Sequence, residues 1–211
     1  MEYNMRNNQI ILHKKNGKVC KVFYINGLDI KFKGKNSIVE IWEPVRFIKK
    51  FGSKKSVIKI DGDNNYIQIK PTIHSIYSMK INGIKDNNKV LIGENLYQTG
   101  TCKIEFTGLS NLTFEIGDNC MLGQDVNFLL GDHHKIFDNI TNKQINTSNK
   151  GICLGNHVWI ARDVKIMKGV SIASNSVVAT GSIVTKSFEQ ENILIGGIPA
   201  KILKENINWS V

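Results

Sequence analysis

The clearest pattern along the chain is a beat of six. Leu154, Ile160, Ile166, Ile172, Val178 and Val184 follow one another at that interval without a slip. Four residues after the first three come Val158, Val164 and Val170, and after the next two come Ser176 and Ser182. A small residue (Gly155, Ala161, Ala173 or Ala179) follows four of these aliphatics. Upstream, Ile116-Gly117, Leu122-Gly123 and Phe128 keep the beat, with Cys120 and Val126 in the second position. A period of six fits neither the 3.6 of a helix nor the 2.0 of a long strand. It fits a coil of short flat segments, each aiming one aliphatic inward and turning at a small residue. Three such segments close a turn of about 18 residues, and successive turns stack as parallel strands. A helix would bury Gly and Asn at mid-helix and scatter the aliphatics around its circumference.

The first half repeats more loosely. Residues 30–41 parallel residues 58–69, alternating apolar and polar positions around a Gly/Asn corner, and a degraded third copy begins Ile104-Glu105-Phe106-Thr107-Gly108. Such stretches read as strand, turn, strand. The expectation is an all-β parallel β-helix with four parts. Residues 1–27 form a polar lead-in, with one or two strands over 19–25. Residues 28–110 form irregular coils, with a connecting excursion around 84–97. Residues 111–198 form the regular repeat, interrupted by a loop over 130–151. Residues 199–211 form a C-terminal cap anchored by Leu203 and Trp209, because a solenoid must protect its open ends.

Composition narrows the function classes. At 211 residues with 41% hydrophobic positions, the chain can bury a core and is not a disordered polymer. No apolar run approaches the roughly 18 residues needed to span a bilayer. The polar start reads as no secretory signal, so the four Cys (Cys20, Cys102, Cys120, Cys153) are expected as reduced thiols in a cytoplasmic protein. The net charge of +10 is one-sided: residues 1–105 hold 19 Lys+Arg against 9 Asp+Glu, and the rest hold 9 of each. The Lys-rich half is either a solvated face or a surface for an anionic partner. With three Arg and no basic stripe interleaved with aromatics, nucleic acid is not the expected partner. Ile, Lys and Asn together supply 80 residues, a bias consistent with A/T-rich codons.

The beat fails between Phe128 and Leu154. The interruption opens Gly131-Asp132-His133-His134-Lys135-Ile136-Phe137-Asp138, and the coil after it reads Gly155-Asn156-His157-Val158-Trp159-Ile160, with Trp159 at an outward position. Insertions at the corners of a repeat commonly carry function. These phrases, and the ladder ending in Gly197-Ile198-Pro199-Ala200-Lys201, resemble the bacterial hexapeptide-repeat acyltransferases over about residues 115–205. The likeness is strongest to acetyl-CoA-dependent O-acetyltransferases of capsular and other surface polysaccharides, the polysialic-acid enzymes among them.

That resemblance implies a left-handed β-helix, an exception to the usual right-handed crossover. It also implies a homotrimer with active sites between subunits. Acetyl transfer from a thioester to a sugar hydroxyl needs a base for a weak nucleophile and preorganised donors for the developing oxyanion. An imidazole, which titrates near neutrality, suits the first task, and backbone N–H groups at a corner suit the second. The family register places the base at His134, with His133 in the variable slot or as the base if the register moves by one. Asp132 or Asp138 is the candidate to orient the imidazole. Trp159 is expected to line the donor and acceptor groove, its main-chain N–H facing the oxyanion. Asn156 and His157 match family positions too and are candidate substrate contacts; for His157, a contact to donor or acceptor stands against a structural bond to the loop. The implied acetyl-CoA runs along the later coils at backbone groups near Ala161, Ala179 and Thr180, with Lys186 and Lys201 for its phosphates. Ala161 and Ala173 replace the family's Gly, and Ile198 replaces an Asn.

The alternatives are an N-acetyltransferase of an amino sugar or nucleotide-linked sugar, and a non-enzymatic glycan-binding solenoid. No metal is expected: a zinc hydratase on this scaffold would need a second His five residues after His157, where Arg162 stands. A Cys153 nucleophile would need a paired base, and its place in the ladder favours burial.

Overall fold

The computed structural model describes residues 7–48, 55–147 and 149–210. Residues 1–6 of the lead-in, 49–54 of the irregular coils, Ser148 of the loop and Val211 of the cap lie outside the described residues.

Every regular element among the described residues is a strand, and the strands visit three faces in rotation. The first face stacks Gln9–His13, Ile38–Trp42, Tyr66–Ile69, Lys89–Ile92, Thr113–Ile116, Ile152–Leu154 and Ser171–Ile172. The second holds Arg46–Ile48 and Ser75–Tyr77, then Tyr97–Gln98, Met121–Leu122, Trp159–Ile160, Val177–Val178 and Leu194–Gly197. The third stacks Leu28–Phe32, Ser56–Ile60, Met79–Ile84, Cys102–Glu105, Val126–Leu129, Lys165–Met167 and Ile183–Val184. Pairing along each stack is parallel; among the described residues, antiparallel ladders lie at the ends, where Val19–Val22 folds back on Gln9–His13 and Ala200–Lys204 on Leu194–Gly197. The chain is a left-handed parallel β-helix.

The beat of six is the interior. Leu154, Ile160, Ile166, Ile172, Val178 and Val184 are all buried, one per face per coil, and so are Val158, Val164, Val170, Ser176 and Ser182. Each buried aliphatic is worth roughly 1.5–3 kcal/mol relative to exposure. The small residues after the aliphatics allow the coils to meet: a Cβ on Gly155 would come within 2.7 Å of the Ser174 amide.

The first half obeys the same construction. Residues 30–32 and 38–41 sit in register on residues 58–60 and 66–69, as their sequence parallel anticipates. Two expectations are corrected. The stretch 84–97 is no excursion: Lys89–Ile92 and Tyr97–Gln98 are ordinary rungs with Val90 and Ile92 buried. Its phase is hidden by a bulge that pairs Ile58 with Ile81 but Ile60 with Ile84. The lead-in also contributes a rung, since Gln9–His13 pairs in parallel with Ile38–Trp42.

The Asn enrichment has a structural use. Asn36, Asn64, Asn87, Asn95, Asn111, Asn119 and Asn175 turn corners at positive φ, where Asn is tolerated better than most residues. Their carboxamides stack into a ladder, from Asn36 through Asn64 and Asn87 to Asn111 at 3.2–3.3 Å per step.

The expected cap differs too. Leu203 is 60% exposed, so it is no buried anchor. Trp209 instead runs back along the side of the helix to stack on His157.

Candidate active site

The loop leaves the edge between the third and first faces, after Leu130, and returns at Ile152. Its outer part is a small hairpin: Phe137 pairs with Gln144, and the Asp138 N–H donates to the Lys143 carbonyl at 2.9 Å. Asp138 accepts from the amides of Ile140 and Thr141 and from the Thr141 hydroxyl, which holds its carboxyl below the usual range. Its carboxylate therefore makes the turn, and the expectation that it orients an imidazole is corrected.

At the loop's root is a clamp that sequence reasoning missed. Lys168, just past the third-face strand Lys165–Met167, donates from Nζ to Asp132 Oδ2 and, at 3.0 Å, to the Asn146 carbonyl. Asn146 Nδ2 donates to Asp132 Oδ2 at 2.7 Å and to the His134 carbonyl at 2.8 Å, while its Oδ1 accepts from the Ile136 amide at 2.8 Å. Lys168 beside Asp132, with the Asn146 amide, lowers the Asp132 carboxyl from its ordinary value. Asp132 thus acts on the backbone around His134 through Asn146. The lone signal for Lys168 in the sequence is its place one residue before the corner at Gly169.

Thr107, Leu109, Asp132, His133, His134 and Asn146 line a cleft of about 330 Å³. Both imidazoles belong to exposed residues. Trp159, Ala161, Ala179 and Thr180 are not at this cleft. Trp159 lies on the second face, stacked between Met121 and Val177, so one chain does not unite it with His134.

The Trp159 main-chain N–H is donated to the Ser176 carbonyl at 2.9 Å, which corrects the expectation that it faces an oxyanion. The amides of Ala161 and Ala179 are likewise spent on Val178 and Ile195, so neither N–H is free to hold a coenzyme. What these residues leave is a strip of small side chains. Gly123, Ala161, Ala179 and Gly196 follow in column at the edge after the second face, each next to the in-register residues Leu122, Ile160, Val178 and Ile195. Thr180 is exposed beside this strip. Lys201 pairs with Gly196 and so adjoins it. Lys186 does not: it lies one coil beyond Lys168, at the loop's edge, with Nζ 5.6 Å from the Phe188 ring centroid.

Asn156 and His157 have structural bonds. Asn156 Oδ1 accepts from the Asp118 amide at 2.8 Å, continuing a corner ladder in which Asp118 accepts from Glu94. His157 turns a corner at φ 55°, contacts Asn175 through Nδ1 at 3.1 Å, and stacks on Trp209, whose indole N–H donates to the His157 carbonyl at 2.9 Å. Cys153 faces outward and is half-buried rather than internal. Burial pushes the thiols of Cys102 and Cys120 up to about 12.

No family model matches the chain. It is 36% identical over 123 residues to the polysialic acid O-acetyltransferase of Escherichia coli O1:K1 / APEC, a match covering 58% of this chain and 38% of that relative. The chain therefore matches well under half the length of that curated protein. The crystal structure of the polySia-specific acetyltransferase NeuO superposes with a TM-score of 0.75 and 30% identity, over 98% of this chain and 85% of that one. The polysialic acid O-acetyltransferase OatWY gives a TM-score of 0.59 and 26% identity, over 87% and 91%.

Proposed function

Because this chain belongs to the hexapeptide-repeat acyltransferase family, we propose that it moves an acetyl group from acetyl-CoA to a hydroxyl of a bacterial surface glycan. The observation that carries the reading is the clamped loop, which holds an exposed His134 over a cleft instead of packing it away. His134 takes the proton of the acceptor hydroxyl as the oxygen–carbon bond forms, and returns it to the departing sulfur as the carbon–sulfur bond breaks. The products are an acetyl ester and a free thiol, and the imidazole ends as it began. His133 stands beside it as a contact for the acceptor. Bound acetyl-CoA supplies an acyl group already activated as a thioester. The strip of Ala161 and Ala179 suits its narrow pantetheine arm, and Lys201 beside Gly196 suits a phosphate.

The working site lies between copies of the chain. His134 and Trp159 fall on different sides of one helix, so a neighbouring copy must bring its second face to this loop. The loop has the surface for such a contact: Ile136, Phe137, Ile140 and Ile145 are exposed, Ile140 by 94%. A homotrimer meets this need, and sedimentation analysis of the purified chain checks it. The cytoplasm, where acetyl-CoA is made, is the proposed location; among the described residues no helix is long and apolar enough to cross a membrane.

The acceptor we propose is anionic. Lys80 and Lys103 are in direct register on the third face, Lys165 follows two rungs on, and Lys59 projects from the rung before. None of these four has a carboxylate partner among the described residues. Like charges stacked on adjacent strands oppose folding, and a polyanion lying along the helix axis would relieve that repulsion. The test offers acetyl-CoA with acidic and neutral oligosaccharides, reads the acetylated position by NMR, and repeats the assay with His134→Ala. Acetylated sugar from the unaltered chain and none above background from the variant is expected. Equal turnover by both removes His134 as the base. An acceptor KM that is flat in salt removes the anionic acceptor.

A further inference from the structure

On the edge between the first and second faces, away from the loop, the helix carries a second cleft of about 400 Å³. Two stacked aromatic pairs stand in it. His74 lies on Tyr97 with ring centroids 4.3 Å apart and planes at 27°, and His157 lies on Trp209 at 4.2 Å and 12°. Tyr97, Met121 and Trp159 are in register on consecutive rungs. The two pairs are therefore two rung spacings apart, about 10 Å, with Met121 between them.

The polar side chains lining the cleft are the Asn95 and Asn119 amides, the Tyr97 phenol, the Ser210 hydroxyl and the His74 and His157 imidazoles. Asn95 Nδ2 donates to Asn119 Oδ1 at 3.2 Å, which leaves Asn95 Oδ1 as an acceptor and Asn119 Nδ2 as a donor. Among the described residues, no Lys, Arg, Asp or Glu lines the cleft. The indole N–H of Trp209 is already spent on the His157 carbonyl, so Trp209 offers a ring and no donor.

We propose that this cleft is a pyranose-binding subsite, gripping an uncharged face of the glycan acceptor apart from the hydroxyl that is acetylated. A sugar ring presents a face of C–H bonds, which packs on aromatic rings, and a rim of hydroxyls, which needs neutral donors and acceptors. A phosphate or carboxylate would find no Lys or Arg here. The rings are held by one another and by the backbone before any ligand arrives, so little freedom is lost on binding. Trp209 lies 6.0 Å from Trp159, which connects the subsite to the strand proposed to line the reaction groove. This inference rests on the glycan acceptor proposed above and adds to it a separate point of attachment.

Saturation-transfer NMR and tryptophan-fluorescence titration test it, with a maltooligosaccharide and an oligosialic acid as probes. The unaltered chain, Trp209→Ala, Tyr97→Ala, Tyr97→Phe and Phe23→Ala are compared, and free CoA is added as a competitor. Trp209→Ala and Tyr97→Ala are each expected to weaken binding of a probe by roughly tenfold. Tyr97→Phe keeps its ring and should retain most of the binding that Tyr97→Ala loses, and Phe23→Ala, exposed on the lead-in and outside both clefts, should bind as the unaltered chain does. Equal binding by the two alanine variants, binding of neither probe, or displacement of the sugar by CoA overturns the subsite. If no sugar is ever acetylated yet binding follows the expected variant pattern, the transferase reading falls and the subsite stands.

Discussion

Lys168 closes on Asp132 across 36 residues of sequence and ties the wall of the β-helix to the root of the loop that carries His134. The two side chains are 26% and 33% exposed, so the pair is neither fully screened nor dry. Asn146 completes the clamp by bonding both Asp132 and the His134 carbonyl.

Lys168→Met should therefore loosen the loop without unfolding the helix. Bonds to charged groups are worth about 1.5–3 kcal/mol, and partial exposure trims that. A fall in kcat of roughly tenfold follows if the imidazole loses its position, with the acetyl-CoA KM unchanged. Faster amide exchange over residues 132–147, and partial recovery in Lys168→Arg, separate positioning from a general loss of stability.

Acid should open the same clamp. The Asp132 carboxyl is lowered mainly by Lys168, so its contribution is present above the ordinary carboxylate value and is lost as pH falls through the folded one. Amide exchange in the loop should rise below about pH 4, and Lys168→Met should remove that dependence. A loop equally protected at pH 3 and pH 6 would contradict it.

His134→Ala should reduce acetyl transfer by about 10²–10⁴-fold, the usual worth of a general base, with unchanged circular dichroism. His133→Ala should retain most of the rate, as a residue that only contacts the acceptor. Reversed results would shift the base by one position.

Thiol chemistry should report burial. Cys102 and Cys120 are buried, with thiols pushed up to about 12. In the native chain, a thiol reagent at neutral pH should label Cys20 and Cys153 and spare the other two until denaturant is added. Raising the pH above the ordinary thiol range should also destabilise the fold, because the unfolded chain ionises these thiols first.

Asn87 tests the corner ladder. It turns at φ 56°, takes a bond from Asn64 and gives one to Asn111. Asn87→Ala loses both bonds and the tolerance of that φ, a cost of about 1–2 kcal/mol. Asn87→Gly keeps the conformation and should cost less, as chemical denaturation would show.

The beat from Leu154 to Val184 was sufficient for the three-sided β-helix, because each coil repeats the same local problem: one aliphatic inward, one small residue at the turn, the next rung a short distance away. The loop was legible as the place where that beat stops, and His134 as its chemically capable residue. The phase of 84–97 was not legible, since one bulge at Ile81–Ile84 breaks the spacing while the rungs still pair. Nor were the spent amides of Trp159, Ala161 and Ala179, which depend on the neighbouring rung. The clamp of Lys168 on Asp132 and the stack of Trp209 on His157 join residues 36 and 52 apart, through side chains that alternate polar and apolar positions leave unassigned. Periodicity fixes which residues face inward; which outward-facing side chains meet is decided by how the coils stack and where the tail returns.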